Sequence, residues 1–217
     1  MLIPATYRSK FLKADTRPNE SATDRTVYMS ALDEHIVVRD VFLAGGAGID
    51  LDLQTRCQNI LLPVVGAVTV ADSNERSKQL APGTVHRSAE GSGKLFVKNV
   101  HKEETVNFLH ICIKSDGDTG HYEPRDASLD ITVKNELVSG TGFAANMRVG
   151  VYDSRVKDIA PVVKGKGGLV AYIINGSFEV DGRLMEYRDA LLLRDSDEAD
   201  FEALSELAII LFIDCSL

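Results

Sequence analysis

His110 and Cys112 stand two residues apart in the run Phe108-Leu109-His110-Ile111-Cys112-Ile113, which alternates as a strand does. An imidazole and a thiol therefore share one face, opposite Leu109, Ile111 and Ile113. Both groups can ligate a metal or take part in catalysis, but between aliphatic neighbours the expected role is a packed, hydrogen-bonded lining of an interior. His86, after Pro82-Gly83-Thr84-Val85, is the other histidine in a patterned setting. A metal site there would need partners, and the stretch Asp50 to Gln54 offers Asp50 or Asp52 but no histidine, which leaves a sparse pair of one of these with His86. His35, His101 and His121 are isolated in polar surroundings and read as titrating surface groups. Cys57, Cys112 and Cys215 form no CxxC, as expected of free thiols in a reducing compartment. No GxSxG elbow supports serine chemistry. Gly45-Gly46-Ala47-Gly48 is not followed by a helix and Gly165-Lys166-Gly167-Gly168 leads into a strand, so both read as turns rather than phosphate loops.

Charge narrows the function classes further. The formal net charge is -8, and Lys and Arg are scattered, which argues against a surface that neutralises nucleic-acid phosphates. Asp197, Glu198, Asp200 and Glu202 form an acidic stretch expected to be a solvated strand edge. The segment MLIPATYRSKFLKAD lacks an apolar signal core, and runs such as Ala208 to Ile213 fall far short of the roughly 20 residues that span a bilayer. No membrane partner is expected, and cytoplasm is the expected location.

The elements that must position these groups are strands. Short runs of period two, separated by Gly, Pro, Asp and Asn, predict strands over Ile36 to Leu43, Ile60 to Val65, Ala67 to Ala71, Lys94 to Val100 and Val106 to Ile113. Others are expected over Leu169 to Ile174, Ser177 to Val180 and Ile209 to Asp214. Two stretches repeat one pattern: Leu61 to Asp72 and Val170 to Gly182 each run apolar strand, Gly, alternating strand, acidic turn. Asp181-Gly182 is a strong two-residue hairpin signal. One β-unit used twice, divided in the polar stretch Ser115 to Ser128, gives an all-β chain of two domains, 1–118 and 119–217.

The repeated strand, Gly, strand segments resemble the core of the cupin superfamily, and further spacing resembles the pirin and pirin-like quercetinase family. Gly46-Ala47-Gly48-Ile49 precedes Asp52-Leu53-Gln54 as that family's GxGF precedes its His-Pro-His. Gly66 with Asp72-Ser73, Pro82-Gly83-Thr84-Val85 and Glu90-Gly91-Ser92-Gly93 follow in the family's order. So do the connector Thr119 to Glu123, Asn175 to Arg183 and Ala208 to Asp214, with Arg188 standing where a Gly is usual. The resemblance implies two tandem cupin-like jelly-roll barrels and, in the first, three His and a Glu around an iron-like ion. Carried across, those ligand positions fall on Asp52, Gln54, Phe96 and Lys98, with Val97 between the last two. One carboxylate, one amide, a phenyl ring and an ammonium do not make a transition-metal site. Asp52 and Lys98 are candidates for an ion pair in place of the ion, and the same resemblance makes positions 110 and 112 pocket lining. The expected function is a pirin-like bicupin with a degenerate metal site and no metal cofactor, a small-molecule-binding or regulatory protein whose partner is a small organic ligand or another protein. The alternative implied by the family is a quercetin 2,3-dioxygenase-like oxygenase using a divalent transition metal such as iron.

Overall fold

In the computed structural model, the structure describes residues 9–71, 77–89, 93–114, 123–144, 146–162, 168–194 and 196–215. The expected turn at Asp72-Ser73, the Glu90 to Ser92 segment, His121 and most of the 119–123 connector lie outside the described residues. The regular structure of the described chain is strand apart from two short 3-10 turns, and it forms two compact units.

In the first unit a seven-stranded sheet runs Arg125–Ser128, Thr84–Arg87, Cys57–Val65, Val106–Lys114, Ile36–Leu43, Arg25–Ala31, Asn19–Ser21. A four-stranded sheet faces it, in the order Gly48–Leu53, Gly93–Asn99, Val68–Ala71, Ser77–Leu80. Between them lies an aliphatic core that includes Val41, Leu43, Leu61 and Phe108 from the larger sheet and Leu51, Val70, Leu95 and Val97 from the smaller. This is a jelly-roll sandwich: two facing sheets that together bury one apolar side each.

The second unit repeats that order strand for strand. Ala190–Leu193, Leu169–Asn175, Ala208–Asp214 and Met147–Tyr152 stand in its six-stranded sheet as Thr84–Arg87, Cys57–Val65, Val106–Lys114 and Ile36–Leu43 stand in the first. Its smaller sheet, Lys157–Pro161, Glu198–Ala203, Phe178–Val180, Arg183–Met185, has the matching sequence of neighbours. Its interior is filled by rings: Tyr152, Phe178 and Phe201 meet edge to face and Phe212 packs on Phe201. The acidic stretch lies on an internal strand, not on an edge, because Glu198–Ala203 has neighbours on both sides. Glu198 and Asp200 face out, while Glu202 takes Arg155 and Lys157 at 2.8 and 3.1 Å.

The units do not divide at 118/119 as the sequence suggests. Arg125–Ser128 lies beyond that point but pairs with Thr84–Arg87 in the first unit. Ser9–Leu12 precedes the first unit but pairs with Ala190–Leu193 in the second, Phe11 opposite Leu191. Each of these short segments covers a sheet edge that would otherwise present unpaired backbone groups.

The repeated glycines explain how the pattern folds. Gly66 (φ 74°) and Gly176 (φ 73°) take the left-handed conformation just after the apolar strand, where the chain leaves the larger sheet for the smaller one. Asp181 (φ 48°) and Gly182 (φ 70°) form the expected two-residue turn between the paired residues Val180 and Arg183. Arg188 (φ 69°), standing where the resemblance leads one to expect a Gly, takes the left-handed conformation that a Gly adopts most easily. No helix among the described residues is long and apolar enough to cross a membrane.

Gly176 and Gly182 differ in a testable way. A Cβ at Gly182 meets nothing within 4 Å, whereas at Gly176 it falls 2.2 Å from Ser205 Oγ and 3.0 Å from Ala208 Cβ. Gly182→Ala should cost about 1 kcal/mol from backbone conformation alone, and Gly176→Ala at least about twice that, as read from urea unfolding of the two variants.

Candidate functional site

The pleat decides where the family-derived positions point. Gly48–Leu53 and Gly93–Asn99 pair antiparallel with Asp52 opposite Lys94, Asp50 opposite Phe96 and Gly48 opposite Lys98. Leu51, Leu95 and Val97 are buried in the core, and Ile49 and Leu53 pack against it. Asp50, Asp52, Phe96 and Lys98 are exposed on the opposite, outer face. Phe96 there lies against Gly48, whose added Cβ would fall 2.6 Å from the ring. The expected pocket of Asp52, Phe96 and Lys98 is thus not an interior one. Slipping the first strand by one residue would turn Leu51 and Leu53 to water and bury two carboxylates, and slipping the second would expose Leu95 and Val97, at about 1.5–3 kcal/mol for each such apolar side chain.

The Asp52–Lys98 ion pair is not formed either. Their strand positions differ by four residues, about 14 Å along the sheet. Lys94 instead reaches Asp50 at 3.6 Å, an exposed contact of small energetic weight.

Gln54 behaves differently from its three companions. It is half-buried at the end of its strand, where its backbone N–H donates to Asn59 Oδ1 (3.2 Å). Asn59 Nδ2 donates back to the Gln54 and Cys57 carbonyls at 3.0 and 3.2 Å. Asn59 in turn opens onto a buried polar patch on the inner face of the larger sheet. Cross-strand register sets it: Asn59 is opposite Cys112, Leu61 opposite His110, and His110 opposite Arg39. His110 and Cys112 share the face of Val106 and Phe108, so the expected interior placement of this pair is what the fold produces.

The patch is tightly connected. Cys112 Sγ lies 3.5 Å from Asn59 Oδ1 and 3.6 Å from His110 Nε2, and Arg39 Nη1 donates to the same sulfur at 3.3 Å. His110 is 2% exposed, and its Nδ1 has no hydrogen-bond partner among the described residues. Burial, with the Arg39 charge adding to it, pulls the His110 pKa down to about 3, so the ring is neutral at physiological pH. Burial raises the Cys112 pKa against the pull of Arg39, which keeps a thiol rather than a thiolate. Arg39 and Asn59 were not among the sequence candidates. The signal for Arg39 was present, as a charge at the same parity as Val37, Val41 and Leu43 in Ile36–Leu43.

His86 occupies the same inner face, opposite Leu61 on one side and Asp126 on the other. Its Nδ1 lies 2.9 Å from Asp126 Oδ1, and Lys78 Nζ holds both Asp126 oxygens at 2.5 and 2.7 Å. Burial lowers the His86 pKa despite Asp126, while the bonds from Lys78 and His86 outweigh desolvation and hold Asp126 below the usual carboxylate range. Lys78 and Asp126 belong to edge strands of the two facing sheets, so the pair ties those edges together. The alternative Asp52 and His86 metal pair does not assemble, because Asp52 faces out and His86 is buried against Asp126. His101 is more than a surface group: its Nε2 accepts from the Ala67 N–H at 3.4 Å, beside the Gly66 turn.

The donor set can be tested against the ion implied by the family. The inward positions on the relevant strands are Leu51, Leu53, Leu95 and Val97, none of which ligates a metal. Among the described residues no three of His, Cys, Asp and Glu come together as a metal set.

No family model and no curated protein matches this chain. Solved structures do. YhhW from Escherichia coli is similar over 96% of this chain and 98% of its own, with 14% identity and a TM-score of 0.74. A second structure of that bacterial pirin, in complex with nickel(II), has the same identity and TM-score over 96% and 100% of the two chains. Quercetin 2,3-dioxygenase from Acinetobacter baumannii is similar at 13% identity and a TM-score of 0.66, over 94% of this chain and 78% of its own. These are likenesses of fold: the chain has the two-unit jelly-roll architecture of cupin proteins.

The buried His110 makes acid stability a direct readout of the patch. The unfolded chain protonates His110 below about 6.5 and the folded chain only near 3, so the native state binds fewer protons throughout that window. Stability is then complete above pH 6.5 and lost as pH falls, at about 1.4 kcal/mol per pH unit, or about 2 kcal/mol by pH 5. The variant His110→Gln should show a visibly flatter decline of its urea midpoint between pH 7 and pH 5; an unchanged slope would contradict the buried neutral imidazole.

Proposed function

We propose that the first unit is a metal-free chamber for a small organic molecule, lined by Arg39, Asn59, His110 and Cys112. The observation that carries this reading is His110 Nδ1, a buried ring nitrogen without a partner among the described residues. An unpaired buried polar atom costs about 1–3 kcal/mol, a cost that a bound molecule would offset. The contrast with the second unit supports the same view. There, aromatic side chains occupy the equivalent space, and the buried Tyr152 hydroxyl is satisfied by Asp158 at 2.6 Å.

The metal-dependent oxygenase is the competing reading, and what favours it is the fold shared with quercetin 2,3-dioxygenase from Acinetobacter baumannii. It needs donors at positions that hold Leu51, Leu53, Leu95 and Val97. The metal-free chamber is therefore the better supported of the two.

Two measurements separate them. Protein prepared under mild conditions should contain far less than one equivalent of iron, nickel, copper, manganese or zinc, and should not turn over quercetin with any of them added; turnover abolished by chelation and restored by metal would establish the oxygenase instead. Titration with a fragment library should move the backbone amide signals of Asn59, His110 and Cys112 in a saturable way, and a library that leaves all three unmoved would sink the chamber. Asp52→Ala and Lys98→Ala should leave stability within about 0.5 kcal/mol and fragment binding unchanged, because both side chains face solvent.

A further inference from the structure

We infer that the chamber selects an organic anion, a small carboxylate received by the Arg39 guanidinium and the His110 Nδ1–H. The inference rests on the metal-free chamber proposed above and adds the chemical class of its ligand.

Arg39 carries the argument. It sits half-buried on the inner face in line with Val41 and Leu43, beside His110 on one strand and Met29 on the other. Its one hydrogen bond among the described residues goes to the sulfur of Cys112, which is a weak acceptor. No carboxylate pairs with it among the described residues, although acidic residues outnumber basic ones 32 to 24 in the chain. A guanidinium has five donors in a planar fork matched to a carboxylate, so most of this fork is unspent. Elsewhere in the same unit the chain pairs a partly buried cation readily, as Lys78 with Asp126 shows.

His110 supplies the second contact. Its ring is neutral and carries one proton, and Nδ1 is the ring atom left without a partner among the described residues; a carboxylate at Nδ1 selects the tautomer protonated there, with Nε2 facing the Cys112 sulfur at 3.6 Å. An unpartnered ring nitrogen and an underused guanidinium thus stand opposite one another on adjacent strands, on the same inner face. Nearby acceptors are already engaged, since Asn59 Oδ1 takes the Gln54 N–H and lies within reach of the thiol. What the patch offers is therefore donors and positive charge, and the complementary ligand is an acceptor with negative charge. The chain's overall negative charge disfavours general anion binding, so affinity must come from this local arrangement.

The test titrates the full-length chain with acetate and benzoate, and with acetamide and benzamide as neutral isosteres. Binding is followed by the nitrogen-15 signals of the His110 ring and the Arg39 side chain at pH 7.5. At least one carboxylate should shift both groups saturably, with its amide roughly tenfold weaker or worse. Arg39→Gln should lose roughly tenfold in carboxylate affinity while leaving amide affinity unchanged, and Arg39→Lys should recover part of the loss. Equal binding of carboxylate and amide at His110 would overturn the anion class and leave the chamber standing, and so would carboxylate affinity unchanged in Arg39→Gln. No response of His110 to any of the four probes would overturn the anion inference; silence across the fragment library as well would remove the chamber. The comparison of carboxylate with amide is made on the unmodified chain, so it stands even where an Arg39 variant fails to fold.

Discussion

The two-residue period of the strands, with one face buried between paired sheets, is the constraint on which everything else in this molecule depends. In Gly48–Leu53 it sends Ile49, Leu51 and Leu53 inward and Asp50 and Asp52 outward. In Gly93–Asn99 it sends Leu95 and Val97 inward and Phe96 and Lys98 outward. A strand has no intermediate setting: a shift of one residue exchanges the whole set, and the apolar set wins because it removes several side chains from water at once.

The same constraint produced two interiors of one topology and different content. The second unit spent its interior on Tyr152, Phe178, Phe201 and Phe212, which fill the space with ring contacts and leave one satisfied hydroxyl. The first kept an aliphatic core but placed Arg39, Asn59, His86, His110 and Cys112 on one side of it. Burial, joined by the Arg39 charge at His110 and the Lys78 charge at His86, keeps both histidines below their usual pKa, so the patch sets neutral polar groups around one permanent cation. A fold shared with a bacterial pirin solved in complex with nickel(II) thus coexists with an interior patch of hydrogen bonds and charge.

Much of the fold was legible. Ile36–Leu43 has the bounds its alternation predicts, and Asp181-Gly182 forms the expected turn because Asp and Gly tolerate positive φ. The repeated hairpins announced a duplicated unit, and the matching strand orders follow. The site was less legible. Motif spacing located the family's ligand positions on Asp52, Gln54, Phe96 and Lys98, whereas the alternation in Ile49-Asp50-Leu51-Asp52-Leu53 already pointed the carboxylates away from the core. Where a spacing motif and a pleat disagree, burial energy favours the pleat. Arg39 was overlooked because a single charge in an apolar strand looks like a solvent-facing residue until the inward parity is known.

By itself the sequence determined what depends on neighbours along the chain: the all-β class, most strand limits, the turn at Asp181-Gly182, and the shared face of His110 and Cys112. These follow from local backbone geometry and from the period of apolar residues. Only the tertiary structure decided which face was buried, which strands lay side by side, and hence that Arg39 joins His110 and Cys112 while Asp52 and Lys98 do not meet. It also decided that Ser9–Leu12 and Arg125–Ser128 complete sheets on the far side of the expected division. Cross-strand pairing joins residues tens of positions apart, and the free energy that selects it comes from the area buried by a whole sheet, which no short stretch of sequence contains.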